Sequence, residues 1–211
     1  MKEYPVELVS RMTAPEERCS NSADSISWHA HREAETLSDS SMVDELADYV
    51  AYEEDKKRRQ AAYFILGKLG QRVRNLDCAS ILIARLDQEE NKYVLSSLLC
   101  ALGGVSKPQN VDLKPVFRRL HDDRWLVRHS AIEALKRTDS VEAEDQLLEL
   151  LNATSDPSNM VYCHATLNEI GSAKSIPHLQ KNLSSRKPDV KLSVRLAIEA
   201  IESRAKSCLP G

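Results

Sequence analysis

Residues 122–138 read DDRWLVRHSAIEALKRT, and residues 140–154 follow with SVEAEDQLLELLNAT. In the first segment Val127, Ala131 and Leu135 fall at i, i+4 and i+8, so they share one helical face. Leu147, Leu148 and Leu151 repeat that stripe in the second segment, which predicts two amphipathic helices in about thirty residues. The first half returns at 187–204 as KPDVKLSVRLAIEAIESR, where AIEAI at 197–201 matches AIEAL at 131–135. Weaker copies are RRQAAYFILGKLG at 58–70, YVLSSLLCALGGV at 93–105 and VYCHATLNEIGS at 161–172. Each copy carries an apolar anchor, at Leu66, Leu102, Leu135, Leu167 and Ile201, with gaps of 36, 33, 32 and 34 residues. The second helices end on Leu86, Leu120, Leu151 and Leu183, which are 34, 31 and 32 apart. A recurrence of this length marks helix pairs too small to bury their own apolar faces, so each pair must stack on its neighbours. The expected fold class is an all-α solenoid.

The copies share further detail: a D-x5-R spacing with a V-R step, then A-x-x-A-L, then often a G-x-I/L-G turn. In these residues the chain resembles the HEAT-like repeat family, and within it the short repeats of phycobilisome-lyase-type proteins. The resemblance covers residues 53–205 and implies a right-handed α-solenoid of about five to six antiparallel helix pairs with a binding role. It also implies a structural ladder of acid and base between neighbouring repeats. Asp122 with Arg128 and Asp189 with Arg195 fit that ladder, and Glu53 with Arg59 keeps the charges. The fourth copy has Asp156 but Tyr162 in place of the base, and the second copy lacks the pair, so the ladder is expected to break in the middle. The family spans scaffolds and a few enzymes, and its fold alone does not fix a chemistry.

Residues 1–52 fit the pattern less well. With Ile26 as anchor the gap to Leu66 is 40, and Val43, Leu46 and Val50 form a helical stripe. This region is read as a degenerate N-terminal repeat or cap, since the end unit of a repeat array needs a polar outer face. A partly disordered arm is the alternative, suggested by SNSADS at 20–25 and LSDSS at 37–41. Residues 53–211 are read as one continuous repeat domain. Pro115 and Pro177 fall near second-helix starts, and Pro157 and Pro188 fall between units, where proline disturbs helices least. No apolar run reaches membrane-spanning length and the N-terminus lacks an apolar signal core, so the chain is expected to be soluble and cytoplasmic.

The residue types that carry chemistry are scattered. Cys19, Cys78, Cys100, Cys163 and Cys208 are odd in number and form no C-x-x-C pair, which suits a reducing compartment. Cys100 and Cys163 lie among apolar residues and read as small core residues. His29 and His31, near Glu33 and Glu35, are either a metal-ligand step or a polar loop; they lack the i, i+4 spacing of a helical metal pair. There is no G-x-S-x-G, P-loop or dinucleotide fingerprint, and no H-E dipeptide of the HEAT-like di-iron hydroxylases. The expectation is no enzyme activity and no cofactor.

Charge is divided along the chain. Residues 1–52 hold four Lys and Arg against eleven Asp and Glu, and the remaining 159 residues hold 25 against 21. That small basic excess is less than a nucleic-acid binder needs, although KKRR at 56–59 points that way. On the second helices, the positions two and six before each anchor are Ala84 and Ser80, Arg118 and Lys114, Glu149 and Asp145, and Lys181 and Pro177. Each pair is i, i+4 and so shares a face. Lys114, Arg118, Asp145, Glu149 and Lys181 therefore either bind a partner of mixed charge or are ordinary solvated residues. Trp125 either anchors an interface or covers a neighbouring helix end, and Trp28 is expected in the core. The expected function is a non-catalytic adaptor or scaffold whose partner is another protein, or an inhibitory, immunity-type partner. The alternatives are a HEAT-like nucleic-acid-binding protein or DNA glycosylase, and a HEAT-type lyase or hydroxylase accessory; no membrane association is expected.

Overall fold

The structure, a computed structural model, describes residues 3–15, 21, 24–74 and 77–207. Cys19 and Cys208, part of the SNSADS segment, and the chain ends lie outside the described residues. The described residues form twelve α-helices, in order α1 Glu3–Met12, α2 Ile26–Thr36, α3 Met42–Tyr52, α4 Lys56–Val73, α5 Asp77–Arg85, α6 Lys92–Gly104, α7 Lys114–Arg119, α8 Trp125–Ala134, α9 Val141–Ala153, α10 Pro157–Ile170, α11 Ile176–Gln180 and α12 Pro188–Ser207. The architecture is all-α, as the repeat spacing predicts. Beyond the helices, a single parallel bridge joins Lys107 to Thr138 among the described residues. No helix among them is long and apolar enough to cross a membrane.

Helix starts are written in the sequence. Asp55 accepts from the Arg58 amide, Asn91 from the Tyr93 and Val94 amides, Ser140 from Ala143 and Asp156 from Ser158, so each first turn finds a side-chain acceptor for its unpaired N–H groups. Arg74, in the left-handed conformation, ends α4.

The chain divides into two compact units, 1–106 and 107–211. In the first, α2, α4 and α6 lie side by side as a layer of first helices, with α3 and α5 packed behind and α1 against α2, α3 and α4. In the second, α8, α10 and α12 form the first-helix layer and α7, α9 and α11 the second. The core is the seam between these layers. Leu66, Leu102, Leu135 and Leu167 are fully buried and Ile201 nearly so, which is why the anchor spacing could be read at all.

Three sequence expectations change. Ile26 opens α2 and is exposed; the buried positions of that helix are Ala30 and Ala34. Ala34 precedes Leu66 by 32 residues, so the first helix pair keeps the period once a small residue is accepted as its anchor. Trp28 lies on the outer side of α2, 40% exposed, with the Arg32 guanidinium over its ring at 5.5 Å. Cys100 is exposed while Cys163 is buried, because the α6 face bearing Cys100 borders open space.

Close approach of α4 to its neighbours depends on glycine, at Gly70 against Cys78 of α5 and at Gly67 against α6. A Cβ built on Gly67 of α4 would stand 2.9 Å from the Ala101 Cα of α6, so no side chain fits without moving a backbone. Gly67→Leu is expected to cost about 1–3 kcal/mol through overpacking. It should appear as a lower urea midpoint at unchanged slope. Gly104, whose added Cβ would meet only the Gln71 Oε1 at 3.9 Å, is the control: Gly104→Ala should leave the midpoint unchanged or raise it. A midpoint for Gly67→Leu equal to that of the parent chain would contradict the packing described.

Candidate functional site

The joints between repeats come first, because they fix every surface around them. Arg59, one turn into α4, donates from Nη1 to the Glu53 and Glu54 carbonyls at 3.0 and 2.8 Å. Its Nε and Nη2 reach forward to the Glu89 carboxylate at 2.8 and 3.2 Å, and the Tyr63 hydroxyl donates to the same carboxylate at 2.7 Å. Arg128 repeats the arrangement in α8: Nη1 donates to the Asp122 carbonyl at 2.7 Å, and Nε reaches forward to the Asn159 Oδ1 at 3.1 Å. Its Nη2 also stands 4.0 Å from the Asp156 carboxylate. In both cases the base bonds main-chain carbonyls of its own repeat and side chains of the next.

Asp156 is therefore the ladder acid that meets a base of the preceding repeat, whereas Glu53 and Asp122 have other partners. The Glu53 carboxylate takes the Tyr49 hydroxyl and the Asp55 amide. The Asp122 carboxylate is held by the Arg124 guanidinium at 2.8 Å, which keeps it below the usual carboxylate range. Asp189 and Arg195 both lie on α12 and are exposed. The AIEA match explains this: a 66-residue offset aligns Arg128 with Val194 and places Arg195 one residue late, about 100° around the helix. Val194 is accordingly buried.

A second polar joint sits between α10 and α12. His164 is fully buried, with Nδ1 2.9 Å from the Ser193 Oγ and Nε2 accepting from the Asn182 amide at 3.0 Å. Burial pulls its pKa down to about 4. Glu144 of α9, also buried, takes three donors on Oε1, from the Ser172 amide and from the Ser172 and Ser175 hydroxyls.

The eight second-helix positions singled out from the sequence are all exposed. In the second unit Lys114 and Arg118 lie on α7, Asp145 and Glu149 on α9 and Lys181 at the end of α11. Part of this charge is already matched within the unit: Lys174 pairs with Asp145, and Lys181 donates to Asn152 at 3.2 Å.

Two further surfaces lie on the first-helix layers, and of the first of them the sequence singled out Trp125 alone. In the second unit α8 and α12 carry exposed large apolar groups. Trp125 is 61% exposed, Leu192 60% and Leu196 49%, and the His129 ring lies between Trp125 and a stacked Tyr162, with centroids at 5.7 and 4.2 Å. Trp125 is thus more exposed than covered. In the first unit a groove of about 970 Å³ runs along α4, bounded by α6, by α2 and by the turn after α1. Its floor is the glycine contact of α4 with α6, a signal sequence shows only as small residues at 67, 101 and 104.

His31 belongs to this groove, with Nδ1 2.7 Å from the Ser27 carbonyl and its ring edge-on to Phe64. Glu33 is taken instead by Arg11, at 2.8 Å through both oxygens, and by the Tyr4 hydroxyl. Among the described residues no group of His, Cys, Asp and Glu is placed to hold a metal ion. The buried thiols are raised by desolvation, Cys78 to about 11 and Cys163 to about 12, so neither is a ready nucleophile near neutrality.

The family described as HEAT repeats matches residues 79–159 and again 113–202. Among solved structures the chain is similar to a designed armadillo repeat protein, 16% identical over 93% of this chain and 99% of that one, with a TM-score of 0.54. It is also similar to an engineered protein, 18% identical over 96% of this chain and 98% of that one, at 0.56. AlkD2 from Streptococcus mutans aligns at 17% identity over 95% and 98%, at 0.43. A comparison with curated proteins gives no match.

Proposed function

Because the chain belongs to the HEAT-repeat family, we propose that it is a non-catalytic adaptor or scaffold that works in the cytoplasm by binding another protein. One observation carries the reading: large apolar side chains stand exposed on the first-helix layer of the second unit, Trp125 on α8 and Leu192 and Leu196 on α12. Single exposed leucines are ordinary on a soluble protein, but tryptophan is rarely left half out of the core, and an exposed aromatic anchor favours a protein partner. The charged second-helix face, with Lys114, Arg118, Asp145, Glu149 and Lys181, supplies a polar surface on the same unit that suits selection by charge pattern.

The test is affinity capture from native lysate followed by binding measurements with the purified partner. Trp125→Ala with Leu196→Ala is expected to weaken that complex at least tenfold, since an aromatic anchor commonly contributes about 2 kcal/mol or more. Thermal unfolding should change little, because both side chains are exposed. Recovery of no stable protein, or a complex indifferent to both substitutions, would overturn the reading.

A further inference from the structure

We propose that the groove of the first unit is a docking site for an extended acidic peptide segment of a partner protein. The proposal rests on the protein-binding reading and places a second, chemically different contact on the other unit. Residues 1–106 are acidic overall, with thirteen Lys and Arg against eighteen Asp and Glu. Yet no residue lining the groove is an Asp or a Glu, while Lys57, Lys68 and His31 all line it. Among the described residues none of the unit's carboxylates lines this groove, and Glu35 stands 3.8 Å from the Lys68 ammonium. Such a lining favours a carboxylate-bearing ligand and repels a basic one.

The dimensions suit a strand of peptide. Lys57 and Lys68 are eleven residues apart on α4, about 16 Å along its axis, which an extended chain covers in about five residues. Between them the walls carry amides and hydroxyls: Gln60, Gln71, Ser96 and Ser97. These groups both donate and accept, as a peptide backbone requires. The Gln60 amide now donates to Ser97 Oγ at 2.9 Å and to the Tyr93 carbonyl at 3.2 Å, and a ligand backbone would compete for it. The floor of Gly67, Ala101 and Gly104 lets a main chain come close. Lys68 stands 3.8 Å from Glu35 and 5.1 Å from the centre of the Phe64 ring, so an acidic ligand would share its ammonium with Glu35. A duplex or long single strand needs many phosphate contacts, and an acidic unit with two groove lysines is poorly suited to it.

The probe is a fluorescein-labelled octapeptide of alternating Glu and Ser, with a Gln–Ser octapeptide and an eight-nucleotide oligothymidylate as controls. The full chain should bind the acidic peptide at least tenfold more tightly than the neutral one, and more weakly as salt rises. Lys57→Gln with Lys68→Gln should remove that preference while leaving the circular dichroism spectrum intact. Ser97→Trp, which keeps both lysines but obstructs the groove, should also weaken binding at least tenfold. Cys100 lines the groove and is exposed, so mass-mapped alkylation at that position should slow at least threefold under saturating acidic peptide. Equal binding of acidic and neutral peptides, unchanged Cys100 labelling, or oligothymidylate binding as tight as the acidic peptide would each overturn the proposal. Failure of the two readings is separable: loss of peptide binding alone, with partner capture still dependent on Trp125, removes the groove site and leaves the scaffold reading standing.

Discussion

Arg59→Ala is expected to lower the unfolding free energy by about 3–5 kcal/mol, among the largest effects available from a single substitution in this chain. The residue it strands is Glu89, only 3% exposed, whose carboxylate is otherwise held only by the Tyr63 hydroxyl among the bonds described. Removing the guanidinium leaves a charge in the seam between α4 and α6, and also leaves the Glu53 and Glu54 carbonyls without that donor. The loss should be read by urea unfolding as a shift in midpoint. A second variant separates attraction from desolvation. Arg59→Met combined with Glu89→Leu removes both charges and should recover most of the loss, because a buried ion pair often does no better than apolar groups of similar volume. A drop below 1 kcal/mol for Arg59→Ala would show that water reaches Glu89 and that the joint is not buried.

The second large effect is one of pH. His164 has its pKa lowered by burial from 6.5 to about 4, and its neutral ring is matched on both nitrogens, by Ser193 and Asn182. The unfolded chain therefore binds this proton at a higher pH than the folded one. Its contribution to stability is complete above about pH 6.5 and is lost as pH falls toward 4, with a total near 3 kcal/mol. Carboxylates such as Asp122 and Glu33, whose pKa values are lowered by their arginine partners, add losses at more acid pH. His164→Leu isolates the histidine: the stability difference between parent and variant should shrink by about 3 kcal/mol between pH 7 and pH 4. A difference independent of pH would mean that the imidazole is solvated. Lys107, which burial brings down to about 7, acts in another window, between 7 and 10.5, where stability should rise with pH.

The parts of this structure legible in the sequence are those set by period. Leu66, Leu102, Leu135, Leu167 and Ile201 are large, apolar and evenly spaced, so the helix pairs could be placed before any coordinates. The N-terminal pair was harder, because its anchor is Ala34, and alanine carries too little apolar surface to stand out in a pattern. The last repeat misleads for a different reason. Its Asp189 and Arg195 keep the spacing of Asp122 and Arg128 but are shifted by one position against the buried AIEA segment, and one position turns a side chain from joint to solvent. The forward partners Glu89 and Asn159 differ in type, so no repeated letter marks them. The groove could not be read at all, since it is made by small residues on helices more than thirty positions apart.

The forward reach of Arg59 and Arg128 makes the array polar in a mechanical sense. Each clasp is anchored in one repeat and closed by the turn that opens the following one, so the joint belongs to the upstream member. Trimming a pair from the C-terminal side opens the clasp behind it, whereas a cut upstream of the anchoring carbonyls leaves the downstream clasps shut. At these two joints, one in each unit, opening under load or protease should thus start from the downstream side of the clasp.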